Sequence, residues 1–97
     1  MVKAVYKGKV LAESNETIKV EGNHYFPIES INKDLLDASE LQTTCVWKGV
    51  AHYYHLKLDD ENLKDMVWYY PEPKDAAKEI KGRIAFYQKD GVDVIEE

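Results

Sequence analysis

Cys45, Lys48, His52 and His55 crowd one short stretch of the chain, and each side chain brings a different chemistry. A cysteine becomes a nucleophile as its thiolate, with a histidine as base. His24, His52 and His55 are the 3 histidines that could serve Cys45 in that way. An isolated cysteine is more often a small buried hydrophobe, so a packing role stands beside the catalytic one. Lys48 precedes Gly49 in an expected turn, with aromatic residues on both sides. A lysine so placed can hold an anionic group or lie over a ring face; the alternative is a solvated turn lysine. Arg83 is the sole guanidinium, which leaves an ion pair with one of many carboxylates as its default role.

Metal chemistry is poorly served. His52 and His55 are an odd number of residues apart on an expected strand, so they point to opposite faces and cannot chelate together. No second cysteine completes a zinc knuckle, and closed zinc sites want four ligands. Asp59-Asp60-Glu61 with Asp65 lacks the glycine that turns a calcium loop, and reads as a solvated connection. The 5 glycines are scattered singly, so no phosphate-cradling loop exists and no cofactor is expected.

Punctuation every ten residues or so implies many short strands. Val2–Tyr6 and Val10–Glu13 read as a hairpin about Lys7-Gly8-Lys9, and Thr17–Glu21 with His24-Tyr25-Phe26 as a second, turning at Gly22-Asn23. Ser30 could cap one or two helical turns before Leu41, docked by Leu35 and Leu36. Gln42–Trp47 and Val50–Leu58 form the clearest strand pair, with Lys48-Gly49 as their turn. Met66–Tyr70 follows, stopped by Pro71-Glu72-Pro73. Asp75–Ile80 suits a short helix ended by Gly82, and Arg83–Gln88 with Val92–Ile95 reads as a closing hairpin about Asp90-Gly91.

Trp47, Tyr53, Tyr54, Trp68, Tyr69 and Tyr70 gather in the middle of the chain. Neighbours on a strand face opposite ways, so one of Tyr53/Tyr54 and one of Trp68/Tyr69 must face solvent, a second core or a pocket. An aromatic pocket with polar rims is one outcome, and an aromatic core with ordinary strand-face tyrosines is the other.

With 97 residues, 44% of them hydrophobic, the chain reads as a single domain over residues 1–97. The 13 basic and 18 acidic side chains leave a formal net charge of −5, which denies nucleic acid its basic footprint. The lone cysteine excludes an intrachain disulfide framework. No uncharged stretch approaches the ~20 residues that span a bilayer, and no signal peptide opens the chain. The expectation is a cytoplasmic protein that binds neither nucleic acid nor membrane, as a monomer or homodimer.

Thr44-Cys45-Val46-Trp47-Lys48-Gly49-Val50-Ala51-His52-Tyr53-Tyr54 resembles the signature of a bacterial and fungal family catalogued as domain of unknown function 427, sometimes labelled nucleotidyltransferase-like. Trp68-Tyr69-Tyr70-Pro71-Glu72-Pro73 is similar to its second block, and Gly82-Arg83-Ile84-Ala85-Phe86-Tyr87 to its third. The opening hairpin and Tyr25-Phe26-Pro27 match the family's usual start, so the resemblance spans nearly the whole chain. Val46 stands where the family usually has proline, which relaxes the turn beside Cys45. The resemblance implies compact antiparallel β-sheets, tent-like or small barrel-like, with one or two short helices. It implies no activity. Nucleotidyl transfer usually sets a Gly-Ser turn ahead of two metal-holding aspartates, and this chain has no Gly-Ser.

The reading is therefore a mainly β protein that binds a small, anionic molecule or a protein partner. Cys45, Lys48, Tyr53, Trp68 and Tyr70 are expected to converge on one pocket, and Arg83 is a further ligand-binding candidate. Two alternatives stand beside it: an enzyme using Cys45 or Lys48 as its reactive group, and a ligand-free structural or dimerisation unit.

Overall fold

The computed structural model describes residues 1–97, and its backbone is almost entirely antiparallel β. β1 (Val2–Tyr6) turns through Lys7-Gly8 into β2 (Lys9–Ser14). β3 (Ile18–Val20) turns through Glu21-Gly22 into β4 (Asn23–Tyr25), so the turn lies one residue earlier than the sequence suggests. Both turns place two successive residues at positive φ, Lys7 at 46° and Gly8 at 86°, then Glu21 at 54° and Gly22 at 81°. That is the two-residue hairpin geometry whose twist matches the flanking strands.

The segment expected to be helical is mostly strand. Two single turns of 3₁₀ helix, Ile28–Ser30 and Lys33–Leu35, give way at once to β5 (Leu36–Cys45). Ser30 caps nothing; its hydroxyl donates to the Pro27 carbonyl at 2.7 Å, and Asn32 caps the second turn by accepting from the Asp34 N–H at 3.0 Å. Leu35 and Leu36 do dock on the core. The first half of β5, before the expected strand at Gln42, escapes a pattern search because β5 is an edge strand, paired only with its successor, and its register breaks between Ala38 and Gln42.

β6 (Gly49–Lys57) and β7 (Asn62–Tyr69) form the centre of a four-stranded sheet that ends at β8 (Ile84–Phe86), in the order β5-β6-β7-β8. The β5–β6 turn comprises Val46-Trp47-Lys48, and Gly49 is already in β6, paired with Cys45. Gly49 adopts φ 113°, a conformation that favours glycine over any residue with a Cβ. Asp75–Ile80 forms a 3₁₀ helix broken at Ala77, and Gly82 follows at φ 71°.

The expected closing hairpin does not form. Asp90-Gly91 turns the chain, but β8 stays bonded to β7 and β9 (Val92–Glu96) crosses to β1, giving a second sheet in the order β2-β1-β9. Pairing from Val2↔Glu96 to Tyr6↔Val92 gives β1 a partner on each side. The β3–β4 hairpin is joined to β8 by two backbone hydrogen bonds between Phe26 and Ile84, at 2.7 and 2.9 Å. The sheets do not close into a barrel. No helix is long and apolar enough to cross a membrane.

The four-stranded sheet is buried on both faces, by different materials. On one face Leu56, Val67, Ile84 and Phe86 pack with Ala4, Leu11, Val92 and Phe26 from the other elements. On the other, Ala51, Tyr53, Trp68, Tyr70 and Ala85 pack with Tyr25, Ala77 and Ile80. Strand alternation explains the split: Tyr53 and Trp68 enter the second cluster, while Tyr54 and Tyr69 stack beside the first with centroids 4.7 Å apart.

Candidate functional site

Paired antiparallel strands place Tyr53 opposite Trp68, and Trp68 opposite Ala85. Ala51 and Ala85 are buried among these rings, whose outer faces border a cleft. The cleft has a volume of about 450 Å³ and is lined by Lys48, Tyr53, Trp68, Tyr70 and Tyr87 together with Phe86 of β8, with Asn23 and Gln88 at its polar rim. Its size lies within the usual range for small-molecule sites.

The rings are fixed by their polar tips. The Trp68 indole N–H donates to the Tyr25 hydroxyl at 3.1 Å, and the two rings meet edge to face at 6.3 Å. The Tyr53 hydroxyl shares a 2.8 Å hydrogen bond with Thr43 Oγ1 across the β5–β6 pair. Tyr87 lies against Trp68 with centroids 4.7 Å apart. Burial, helped by the neighbouring Tyr53 phenol, pushes the Tyr87 hydroxyl up to about 12. Desolvation likewise raises Tyr25 and Tyr70. These phenols are therefore neutral at physiological pH and present flat walls with hydroxyl tips.

Lys48 is the one buried charged side chain, only 7% exposed. The β5–β6 turn presents it, and that turn is strapped down from outside: the Lys74 N–H donates to the Lys48 carbonyl at 2.9 Å, and Lys74 Nζ to the Val46 carbonyl at 2.6 Å. Nζ lies 5.4 Å from the Trp47 ring centroid and 5.6 Å from that of Tyr70. It donates to Glu21 Oε1, while Trp47 Nε1 approaches Glu21 Oε2 at 3.4 Å. Burial works against the Lys48 charge, but the Glu21 hydrogen bond and the phenols of Tyr25 and Tyr70 outweigh it and hold the pKa above 10.5. The Lys48 hydrogen bond correspondingly holds the Glu21 carboxyl below 4.5.

Of the residues singled out in the sequence, Lys48, Tyr53, Trp68 and Tyr70 share this cleft. Cys45 is partly buried and packs against the same aromatic cluster without lining the cleft. Arg83 lies elsewhere, in a depression with Pro27, Ile28, Glu29, Lys81 and Gly82. It also finds no carboxylate: its guanidinium donates to the carbonyls of Glu16 at 2.7 Å and Tyr25 at 3.4 Å, tying the β3–β4 hairpin down. His52 lies against Tyr69 at 5.8 Å, and His55 Nδ1 accepts from the Asp65 N–H at 3.0 Å.

Sequence reasoning missed Glu21, Asn23, Tyr87 and Gln88. Tyr87 closes the third motif block; Glu21 is separated from Lys48 by β4, two 3₁₀ turns and β5, and nothing local aims it there. A larger depression of about 600 Å³ lies along Gln42, Gly49, His52, Pro71, Glu72 and Lys74, but it has no wall of phenol or indole rings.

The full chain, residues 1–97, is matched by the model of a family described as Domain of unknown function (DUF427). No curated protein matches the chain.

Proposed function

The chain belongs to the DUF427 family along its whole length, and from that premise we propose that its role is to bind a small planar anion in the aromatic cleft. One observation carries this reading: a buried ammonium, Lys48, opens into a hollow walled by Tyr53, Trp68, Tyr70 and Tyr87. Burying a lysine is costly, the one carboxylate that offsets the Lys48 charge belongs to the half-exposed Glu21, and flat neutral rings suit a flat ligand. The raised pKa favours binding over catalysis at Lys48, because a protonated amine has no lone pair with which to attack. The net charge of −5 argues against a nucleic acid as the anion. The single cysteine supports a cytoplasmic setting.

Calorimetric titration with 2-naphthoate, 2-naphthyl phosphate and 2-naphthalenesulfonate tests the reading. At least one should bind the wild type and lose about tenfold or more in affinity with Lys48→Met, the scale of one charge-assisted hydrogen bond. Equal binding to both proteins, or none to either, would overturn it.

A further inference from the structure

Lys48, on the wall of the cleft, is already paired with a carboxylate of the protein, Glu21, which lies with Trp47 beside the cleft lining. Glu21 Oε1 accepts from Lys48 Nζ and Oε2 faces Trp47 Nε1 at 3.4 Å, so both oxygens meet donors. Its position depends on a short lever. Glu21 occupies the first turn position between β3 and β4, strands of three residues each, and adopts φ 54°. Positive φ is uncommon for a residue other than glycine and costs free energy that the surroundings must offset. The Glu21 side chain is 51% exposed, whereas that of Lys48 is 9% exposed. The acceptor can therefore leave for water while the donor cannot follow.

A buried ammonium left without a counter-charge is strongly unfavourable, so whatever displaces Glu21 must bring a negative charge of its own. A second carboxylate meets that demand with the same geometry and the same two donors. The remaining space extends from Lys48 along the rings of Tyr53, Trp68, Tyr70 and Tyr87, with Asn23 on the same hairpin as Glu21 and Gln88 across the rim. A flat ring fits between such walls, and the polar rim can bond a substituent on it. Building on the reading of this cleft as a binding site, we propose that its ligand is an aromatic monocarboxylate whose carboxylate takes the place of Glu21 on Lys48 and Trp47. Glu21 is then a built-in competitor that keeps the lysine neutralised while the cleft is empty and swings into water when it fills.

Competition makes a signature that a bracing role does not. Glu21→Gln and Glu21→Ala should each bind 2-naphthoate about tenfold more tightly than the wild type, since the ligand no longer displaces an internal anion. The neutral isostere 2-naphthamide should bind all three proteins weakly and alike. In the wild type, the Glu21 carboxyl-carbon NMR resonance should shift toward that of a solvated glutamate as 2-naphthoate is added. If the wild type binds 2-naphthoate but both variants bind it equally or less well, Glu21 is a brace and the displacement proposal fails while the binding site stands. If 2-naphthyl phosphate binds and 2-naphthoate does not, the carboxylate class is wrong. If neither of these nor 2-naphthalenesulfonate binds wild type or variants, the cleft is not an anion site and both readings fall.

Discussion

The two faces of the four-stranded sheet solve the burial problem in opposite ways. The aliphatic face joins Leu56, Met66, Val67 and Ile84 to Phe26 and Phe86, and these side chains are essentially inaccessible. Their tips carry no polar atoms except sulfur, so shape alone decides how they fit. The aromatic face sets Tyr25, Tyr53, Trp68 and Tyr70 among alanines at 51, 77 and 85. There the rings are held by hydrogen bonds at their edges, and Lys48, Tyr53, Trp68, Tyr70 and Tyr87 border an open cleft. A sheet face that is tied at its polar tips can remain partly open without collapsing, whereas a purely apolar face closes.

That contrast separates the effects of substitution. Phe26→Ala on the closed face should cost about 3–5 kcal/mol, because Phe26 is fully buried and meets Phe86 edge to face at 5.5 Å. A fall in the urea midpoint corresponding to less than ~1 kcal/mol would mean the aliphatic face is looser than described. Trp68→Phe on the open face should cost less, about 1–3 kcal/mol, by leaving the buried Tyr25 hydroxyl without its indole partner. Restoring that loss by adding Tyr25→Phe is the matching double-mutant test, and a strictly additive double variant would break the account of tied rings.

Lys48→Met should disturb stability still less, by about 1 kcal/mol or under at neutral pH, since Glu21 is free to return to water. Its clearer mark is in acid. The Lys48 hydrogen bond lowers the folded-state pKa of Glu21 below 4.5, so this contribution is full above that value and is lost as pH falls through the lowered one. Glu96, lowered chiefly by the His24 hydrogen bond, and Glu97, lowered by Lys3, behave the same way in both proteins. The difference between wild-type and Lys48→Met urea midpoints should therefore shrink as pH falls from above 4.5 through that window, and a constant difference would contradict the pairing. Arg83→Lys is expected to have the smallest effect, a few tenths of a kcal/mol through two carbonyl hydrogen bonds, with binding in the cleft unchanged.

The residues that the sequence made legible are those governed by local rules. The hairpins about Lys7-Gly8 and about Gly22 are readable because glycine at a two-residue turn has a stereochemical reason, although the second turns at Glu21-Gly22 and not at Gly22-Asn23. The division of Tyr53 from Tyr54 and of Trp68 from Tyr69 follows from strand alternation, whereas the expectation that Cys45, Lys48, Tyr53, Trp68 and Tyr70 meet rests on the motif blocks of the resemblance, and Cys45 stays outside the cleft. Non-local choices were not readable. Asp90-Gly91 is a sound turn signal, yet whether β9 returns to β8 or crosses to β1 depends on which edge offers unpaired groups, a property of the assembled sheets. The first half of β5 reads as helix because Ser30, Leu35 and Leu36 mimic a capped amphipathic turn, while an exposed edge strand with a broken register shows no alternation. Arg83 is equally non-local: the third motif block gives its chain position just before β8, but not that its guanidinium reaches back to the Glu16 carbonyl.

The central claim is that the open aromatic face recognises a negative charge through Lys48. Heteronuclear NMR of the wild-type protein, titrated in parallel with 2-naphthoate and neutral 2-naphthamide, tests it most directly. The account predicts that the Trp68 and Trp47 indole N–H resonances and the backbone amides of Lys48 and Tyr70 move strongly with the carboxylate and little with the amide. Equal shifts with both ligands, or shifts confined to the depression around Arg83 or to the groove along His52 and Lys74, would contradict it.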